Sequence, residues 1–214
     1  EPRMTLAEVI HVMSLTLRGL AAVHEAGIIH RDLKPDNIFL THDVAGGLFP
    51  KILDFGISRS VEPQSGRRSA LTTSEGVIVG TPEYMSPEQA RGVQAIDQRA
   101  DIYCMGAILY QALTGELPFS SENVGDLIIQ IVTTNAPLVH HRNPAVPRAI
   151  SDVVARAMAR APDARFADAS EMQEALLAAA EGTVEVHPRR SDMPTVIAST
   201  RSGISPRIES PRLP

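Results

Sequence analysis

The chain has 214 residues, of which 43% are hydrophobic and 21% charged, the composition of a globular domain with a buried core. Its formal net charge of -5 disfavours a nucleic-acid-binding surface, because negative charge repels phosphate. The single cysteine, Cys104, excludes an intrachain disulfide, and we expect no membrane-spanning segment. We therefore expect a cytoplasmic domain that binds no nucleic acid, and tethering of the full-length protein to a membrane stays open.

The apolar spacing predicts a mainly helical chain with one short hairpin. Residues 6–25 repeat at helical spacing, with Thr5 and Glu8 as a capping box and Gly27 just past the helix end. Residues 38–40 and 51–53 are predicted strands, joined by a connection over residues 41–50. Further helices are predicted over residues 101–113, 123–133, 148–160 and 168–180.

Two stretches lack apolar periodicity. Residues 58–79 are rich in Ser, Thr, Arg and Gly, which predicts a mobile surface segment. After residue 181 the periodicity also ends, so we interpret residues 1–181 as the folded domain and residues 182–214 as a disordered linker. Ser205 and Ser210 each begin a Ser-Pro-Arg repeat, so a tail regulated by phosphorylation remains the alternative.

Polar and charged side chains concentrate in two nearby stretches, residues 30–37 (His-Arg-Asp-Leu-Lys-Pro-Asp-Asn) and residues 54–56 (Asp-Phe-Gly). Transfer of a phosphoryl group requires a nucleophile held in line and cations on the phosphate oxygens. Asp32 can accept the proton of a substrate hydroxyl, which is worth about 10²–10⁴ in rate. Lys34, two residues later, can place an ammonium group against the γ-phosphate of ATP.

The same stretches supply the ligands that magnesium prefers. Asn37 and Asp54 offer an amide oxygen and a carboxylate, and magnesium in phosphate-binding sites takes one or two carboxylates plus phosphate oxygens. Gly56 lets the chain turn sharply after Asp54. These residues predict ATP and magnesium as cofactors, with manganese as a substitute for magnesium.

Chance does not explain the pattern. Either motif alone is weak, since an isolated aspartate is usually a cap or a surface charge. Seven of the eight residues from 30 to 37 match the motif. If each residue type has a frequency of about five per cent, seven such matches arise by chance at roughly one sequence position in a billion. The Asp-Phe-Gly sequence then follows behind an apolar strand.

On these motifs the chain resembles the C-terminal lobe of eukaryotic-like serine/threonine protein kinases. Residues 84–92, Tyr-Met-Ser-Pro-Glu-Gln-Ala-Arg-Gly, make the bacterial members the best match. The resemblance extends from about Thr5 to about Ala180. It implies an α+β family in which this chain is a mostly α-helical C-lobe, with short β-hairpins at the catalytic and Asp-Phe-Gly loops.

The resemblance also implies a role for each motif residue. The catalytic and cofactor-binding set comprises Asp32 as base, Lys34 on the γ-phosphate, Asn37 and Asp54 on magnesium, Thr81 positioning the substrate hydroxyl, and Phe39 under the adenine. The structural set comprises a buried ion pair of Glu88 with Arg165, Asp101 holding the backbone of the catalytic loop, and His30, Phe55 and Asp101 stacked in a column between the lobes.

Arg31 points to control by phosphorylation. An arginine directly before Asp32 is well placed to bind a phosphate on the segment over residues 58–79 through bidentate hydrogen bonds. Thr73 is the first candidate, with Thr72 and Ser74 beside it, and a contact between two kinase molecules would permit autophosphorylation. The alternative is that these hydroxyls are only solvated.

The family pattern is incomplete at the N-terminal side. The sequence contains no Gly-rich loop and no Val-Ala-Ile-Lys strand, and its only lysines are Lys34 and Lys51. Lys51 follows the catalytic loop, so it cannot be the phosphate-binding lysine that precedes it in the family. We expect the upper wall of the ATP site to lie upstream of Glu1 or to be missing, and the chain alone to be nearly inactive.

The sequence therefore predicts a protein serine/threonine kinase that transfers the γ-phosphate of ATP to Ser or Thr of protein substrates. The resemblance favours Ser/Thr over Tyr through Lys34 and Thr81. The alternative is a kinase-like binding module without activity, which Asp32, Asn37 and Asp54 disfavour because decayed kinases usually lose one of the two aspartates. A nucleotide hydrolase of another fold has little support, since no Gly-x-x-x-x-Gly-Lys-[Ser/Thr] loop occurs.

Overall fold

A computed structural model describes residues 4–54 and 82–182, which lie within one compact unit. The described residues form seven helices and one two-stranded antiparallel sheet. The predicted linker over residues 182–214 lies outside them, apart from Gly182. In chain order the elements are α1 (Leu6–Glu25), β1 (Ile38–His42), β2 (Leu48–Ile52), α2 (Pro87–Ala90), α3 (Arg99–Thr114), α4 (Val124–Thr133), α5 (Val139–Arg142), α6 (Arg148–Ala157) and α7 (Ala169–Glu181).

Helix α1 begins and ends where its sequence signals predict. The Glu8 amide donates to Thr5 Oγ1 at 3.3 Å, and the Thr5 amide donates to Glu8 Oε2 at 2.7 Å, which completes the capping box. Gly27 has a φ of 74° just past the helix end, a conformation that glycine adopts without a steric penalty. The buried stripe of α1 packs against α3 and α7.

By length and composition α1 could also cross a membrane, contrary to the expectation of no such segment. This is weak support for a span, because the core helix of a soluble protein meets the same criteria, and α1 buries Val9, Met13, Leu17 and Leu20 in the core.

The hairpin has longer strands than the sequence predicts. Residues 41, 42 and 48–50, expected in the connection, pair within β1 and β2, and Pro50 lies opposite Leu40. The connection shortens to residues 43–47 because Asp43 Oδ1 accepts the backbone N–H groups of Ala45 and Gly47, both at 2.8 Å. Pro50 is compatible with a two-stranded sheet, where both strands are edges.

Helix α3 forms the centre of the core. It is buried on nearly all sides and packs against α1, α5 and α6. At Gly106 the end of α6 approaches so closely that an added Cβ would lie 2.9 Å from Ala157 Cβ and 2.8 Å from Cγ of Met158, the residue after α6. The absence of a side chain at Gly106 therefore sets the distance between the two helices.

Helices α3, α4 and α7 lie within two residues of their predicted bounds, and larger differences occur at α5 and α6. Val124 begins α4 directly after the N-cap Asn123 and is 38% exposed, whereas Leu127 and Ile131 are buried. The apolar spacing predicts no helix between residues 133 and 148, where the structure has α5. Helix α6 ends at Ala157 rather than residue 160, because its last turn tightens and the Ala159 amide donates to the Arg156 carbonyl three residues back. The carbonyls of residues 159 and 160 then accept the Arg165 side chain.

Candidate active site

The catalytic loop, defined here as residues 30–37, is attached to the central helix through Asp101. This carboxylate is fully buried near the start of α3. Its Oδ2 accepts the backbone N–H of His30 at 2.8 Å, and its Oδ1 accepts the backbone N–H of Arg31 at 2.9 Å. Both oxygens of one rigid side chain thus fix the direction in which the loop leaves α1.

Arg31 has the left-handed backbone conformation that non-glycine residues rarely adopt, with a φ of 65°. Such a conformation costs about 1–3 kcal/mol and persists only where neighbouring contacts impose it. Asp101 binds the Arg31 amide, and Gln89 Nε2 donates to the Arg31 carbonyl at 2.7 Å. Bonds on both peptide groups therefore hold the turn that precedes Asp32.

The His30 ring joins the loop to strand β2. Its Nδ1 accepts the backbone N–H of Asp32 at 3.3 Å, so its Nε2 carries the hydrogen that is donated to the Leu53 carbonyl at 2.9 Å. The Leu53 amide in turn donates to the Asn37 carbonyl at 2.8 Å. These bonds bring the end of β2, and therefore Asp54, to the catalytic loop.

Asn37 is buried and oriented by the loop itself. Its Nδ2 donates to the Asp32 carbonyl at 2.7 Å, so its Oδ1 is the atom that can serve as a ligand. Asp54 follows β2, is exposed, and has a φ of 49°. An aspartate tolerates this conformation better than most residues do.

Asp32 and Lys34 form a loose ion pair at the surface of the loop. Lys34 Nζ lies 3.6 Å from Asp32 Oδ2, and the two side chains are 23% and 30% exposed. A carboxylate that can accept a proton and an ammonium group that can bind a phosphate are thus neighbours and open to solvent.

The donor set fits a magnesium ion that takes its remaining ligands from phosphate and water. Over residues 4–54 and 82–182, no group of three His, Cys, Asp or Glu side chains could enclose a metal. The Asn37 amide oxygen and the Asp54 carboxylate match the small number of protein ligands that magnesium uses beside phosphates.

A buried ion pair lies behind the loop. Arg165 Nη1 and Nη2 donate to the two oxygens of Glu88 at 2.6 and 2.8 Å. The remaining Arg165 donors bind the carbonyls of Ala159, Arg99 and Arg160, so all five N–H groups are used. Burial raises the pKa of Glu88, but the hydrogen bonds and charge of Arg165 outweigh burial and leave this pKa below its ordinary value.

Helix α2 connects this ion pair to the catalytic loop. Gln89, next to Glu88, completes a capping box with Ser86 and donates to the Arg31 carbonyl. Cys104 of α3 donates its thiol to Gln89 Oε1 at 3.7 Å. Burial raises the pKa of the Cys104 thiol well above its ordinary value, so it is a structural donor here.

Several residues predicted for the site lie outside the described part of the chain: Phe55, Gly56, Thr72, Thr73, Ser74 and Thr81. Phe39 lies on β1 with 57% of its surface exposed. Its predicted place under the adenine stays a prediction, as do the chemical roles of Asp32, Lys34, Asn37 and Asp54.

Sequence reasoning missed His24. A histidine in the last turn of a helix commonly packs or interacts with the helix dipole, whereas the Nε2 of His24 bonds Asp101 Oδ2 at 2.9 Å. The only available signal was that His24 lies six residues before His30. The partner Asp101 is far away in sequence, so local spacing could not reveal the bond.

Comparison with known proteins then decides the family. The model of the protein kinase domain matches residues 1–177. This chain belongs to the protein kinase family. Its α1, hairpin and α3 are therefore elements of a kinase fold.

The chain is similar to several curated bacterial proteins that are named serine/threonine-protein kinases. It is 38% identical over 198 residues to the serine/threonine-protein kinase Pkn1 of Myxococcus xanthus, covering 92% of this chain and 28% of the relative. It is 40% identical over 173 residues to PknL of Mycobacterium tuberculosis, covering 81% of this chain and 41% of the relative. The chain thus spans well under half the length of these relatives.

A solved structure shows the same fold. The PknI kinase domain of Mycobacterium tuberculosis matches with a TM-score of 0.59 and 23% sequence identity, over 84% of this chain and 57% of that domain. At this sequence identity the similarity is evidence for a shared fold only.

Proposed function

We propose that this chain contributes the catalytic loop of a protein serine/threonine kinase, which transfers the γ-phosphate of ATP to Ser or Thr hydroxyls of protein substrates. The observation that carries the proposal is the convergence on one short loop of Asp32, its neighbour Lys34 at 3.6 Å, and Asn37 bonded to the Asp32 carbonyl at 2.7 Å. Because the chain belongs to the protein kinase family, we interpret this arrangement as a site for phosphoryl transfer.

In this proposal Asp32 accepts the proton of the attacking hydroxyl while a new bond forms between that oxygen and the γ-phosphorus. The bond from the γ-phosphorus to the bridging oxygen breaks, and ADP leaves. Lys34 neutralises charge on the γ-phosphate during transfer. The bonds from Asp101 and Gln89 to the Arg31 backbone support this role, because they fix the turn that aims Asp32.

Asn37 and Asp54 would hold magnesium, which neutralises charge on the phosphate oxygens when it is bound. The Asn37 amide is already oriented by its bond to the Asp32 carbonyl, so its oxygen needs no reorganisation to serve as a ligand. We include ATP and magnesium, with manganese as a substitute, in the proposal on this fit and on family membership.

The serine/threonine specificity is supported by the names of the relatives, among them PknB of Bifidobacterium longum. We further propose control through a phosphate on Thr73, Thr72 or Ser74 that Arg31 binds, in a kinase domain ending near residue 181. An ATP-dependent kinase of this kind fits a cytoplasmic location.

The proposal is tested by the substitution Asp32→Asn, made in the full-length protein that contains this chain. Transfer of radiolabelled phosphate from ATP to a generic basic protein should fall about 100-fold or more, because the substitution removes the base. Asp152→Asn, an exposed change on α6, is the matched control and should retain full activity. An unchanged rate in Asp32→Asn would reject the role of Asp32, and no transfer by the parent protein would favour a binding module.

A further inference from the structure

A cavity of about 780 Å³ opens on the side of the domain formed by α3, α6 and the segments over residues 135–139 and 159–164. Its floor consists of buried core side chains: Tyr110, Val139, Val154 and Met158. The volume lies within the range of small-molecule sites, about 300–1,000 Å³. None of its lining residues belongs to the catalytic loop, so the proposed kinase chemistry does not account for the cavity.

The interior of the cavity offers few polar contacts to a ligand. Alanine, proline, valine and methionine side chains make up most of the lining. The hydroxyl of Ser151, a buried polar group in the lining, is already bonded to His140 Nδ1 at 2.8 Å. A ligand that fills this space must therefore be apolar along most of its length.

The mouth of the cavity is positively charged. Arg91 and Arg160 line it, and both are exposed. Each donates one hydrogen bond to the end of α4, Arg91 to the Val132 carbonyl at 3.4 Å and Arg160 to the Thr133 carbonyl at 2.8 Å. A guanidinium has five N–H groups, and over residues 4–54 and 82–182 no carboxylate forms an ion pair with either arginine.

Capping of α4 alone would explain why two arginines lie at the end of that helix. It does not explain why an apolar cavity opens beside them. Apolar walls and two guanidinium groups at the mouth together match a molecule with a hydrocarbon body and an anionic head. A guanidinium binds a carboxylate through paired, charge-assisted hydrogen bonds.

We propose that this cavity binds an amphiphilic anion of the long-chain carboxylate class, with its hydrocarbon chain against Pro137 and Ala155 and its head group at Arg91 and Arg160. The site is separate from the ATP-binding chemistry and does not depend on the chain being an active kinase.

Displacement of a fluorescent probe, dansyl-undecanoate, tests the proposal on the full chain. We expect saturable binding at one site, and decanoate should displace the probe at least about threefold more effectively than decanol because only decanoate carries charge. Arg91→Gln and Arg160→Gln should each weaken binding about three- to tenfold. Arg148→Gln, an exposed change at the start of α6 away from the cavity, should leave binding unchanged.

A second pair of variants tests whether the probe binds against the apolar lining of the cavity. Ala155 lines the cavity from the exposed side of α6, so Ala155→Leu should narrow the cavity and weaken probe binding about tenfold without disturbing the core. Ala149→Leu, on the same helix but outside the cavity, is the matched control. Thermal unfolding of each variant shows whether it is folded, and Ala155→Val replaces Ala155→Leu if the latter is not.

Three results would overturn the proposal. If decanoate and decanol displace the probe equally well, the cavity does not recognise an anionic head group. Binding that is insensitive to Ala155→Leu in a folded protein would place the probe elsewhere. Failure of the probe to bind, with binding of an acidic peptide at the same arginines, would identify a macromolecular docking surface instead.

Discussion

His24 at the end of α1 and Asp101 at the start of α3 share a hydrogen bond of 2.9 Å from the imidazole Nε2 to the carboxylate Oδ2. The same oxygen accepts the backbone N–H of His30. The other imidazole nitrogen of His24, Nδ1, is buried and has no hydrogen-bond partner among residues 4–54 and 82–182. The Asp101 bond is thus the contact that orients this ring, and it links the end of one helix to the catalytic loop through a second helix.

We predict that His24→Leu loosens the catalytic loop. The substitution removes one of three donors to a buried carboxylate, which costs about 1–3 kcal/mol. Exchange of the His30 and Arg31 amide hydrogens should become about tenfold faster, because both amides donate to Asp101. Measurement of hydrogen exchange at these two amides checks the prediction.

His24→Gln should restore slow exchange, since its amide nitrogen can replace the imidazole donor. Glu25→Gln, a neighbouring exposed change, should have no effect. If exchange in His24→Leu stays as slow as in the parent chain, Asp101 holds the loop without help from His24.

We predict that Glu88→Gln destabilises the domain by about 3–5 kcal/mol, because it leaves the fully buried Arg165 guanidinium without its counter-charge. Urea denaturation measures the loss. Glu116→Gln, which removes a partner from the exposed pair with Arg142 at 3.9 Å, should change stability by less than about 1 kcal/mol. Equal effects of the two substitutions would show that the buried pair contributes nothing beyond a surface pair.

The same ion pair predicts a pH dependence. Arg165 keeps the pKa of Glu88 in the folded state below its ordinary value of 4.5, against the opposing effect of burial. The unfolded chain therefore binds the proton more tightly, so this contribution to stability is complete above the ordinary pKa and is lost as pH falls through the lower pKa. Stability measured between about pH 6 and pH 3 should fall more steeply for the parent chain than for Glu88→Gln.

We predict opposite effects for alanine at two helical glycines. Gly106→Ala should destabilise the domain by about 1–3 kcal/mol, because the new methyl group would overlap Met158 and Ala157 where α3 and α6 meet. Gly19→Ala on α1 should stabilise it by about 0.5–1 kcal/mol, since its nearest neighbour, Ile52 Cδ1, lies at an ordinary 3.7 Å. Thermal unfolding of the two variants gives both values, and stabilisation by Gly106→Ala would contradict the close approach of the helices.

We predict that the 214-residue chain alone binds Mg-ATP weakly and transfers almost no phosphate. Its own residues offer Lys34, Asn37 and Asp54 to the phosphates and the metal, but the sequence contains no Gly-rich loop and no lysine before the catalytic loop. Calorimetric titration with Mg-ATP and a radiolabel assay measure the two quantities. Robust autophosphorylation by the purified chain would contradict the prediction.

The sequence predicted the elements whose signals are local. The bounds of α1 followed from the capping box of Thr5 and Glu8 and from Gly27, and the presence of α3 followed from the apolar spacing of residues 101–113. The family was also predictable, since the motifs of residues 30–37 and 54–56 are contiguous and highly specific. Comparison with the protein kinase domain confirmed it.

The features that the sequence did not show depend on distant partners or on competing hydrogen bonds. The bond from His24 to Asp101 spans 77 residues, so no spacing rule could reveal it. Helix α6 ends early because its last turn tightens, with the Ala159 amide donating to the Arg156 carbonyl, and the strands lengthen because Asp43 completes a tight turn. In these two cases a local hydrogen bond sets the end of an element that the periodic pattern alone places elsewhere.

Cys104 gives the chain an internal reporter of opening. It is the only cysteine, it is buried, and its thiol contacts the glutamine that holds Arg31. A thiol reagent can react only when α2 and α3 separate, because burial keeps the sulfur both protonated and inaccessible. The labelling rate of this single atom therefore measures how often the support of the catalytic loop comes apart, and no mutation is needed to introduce the label.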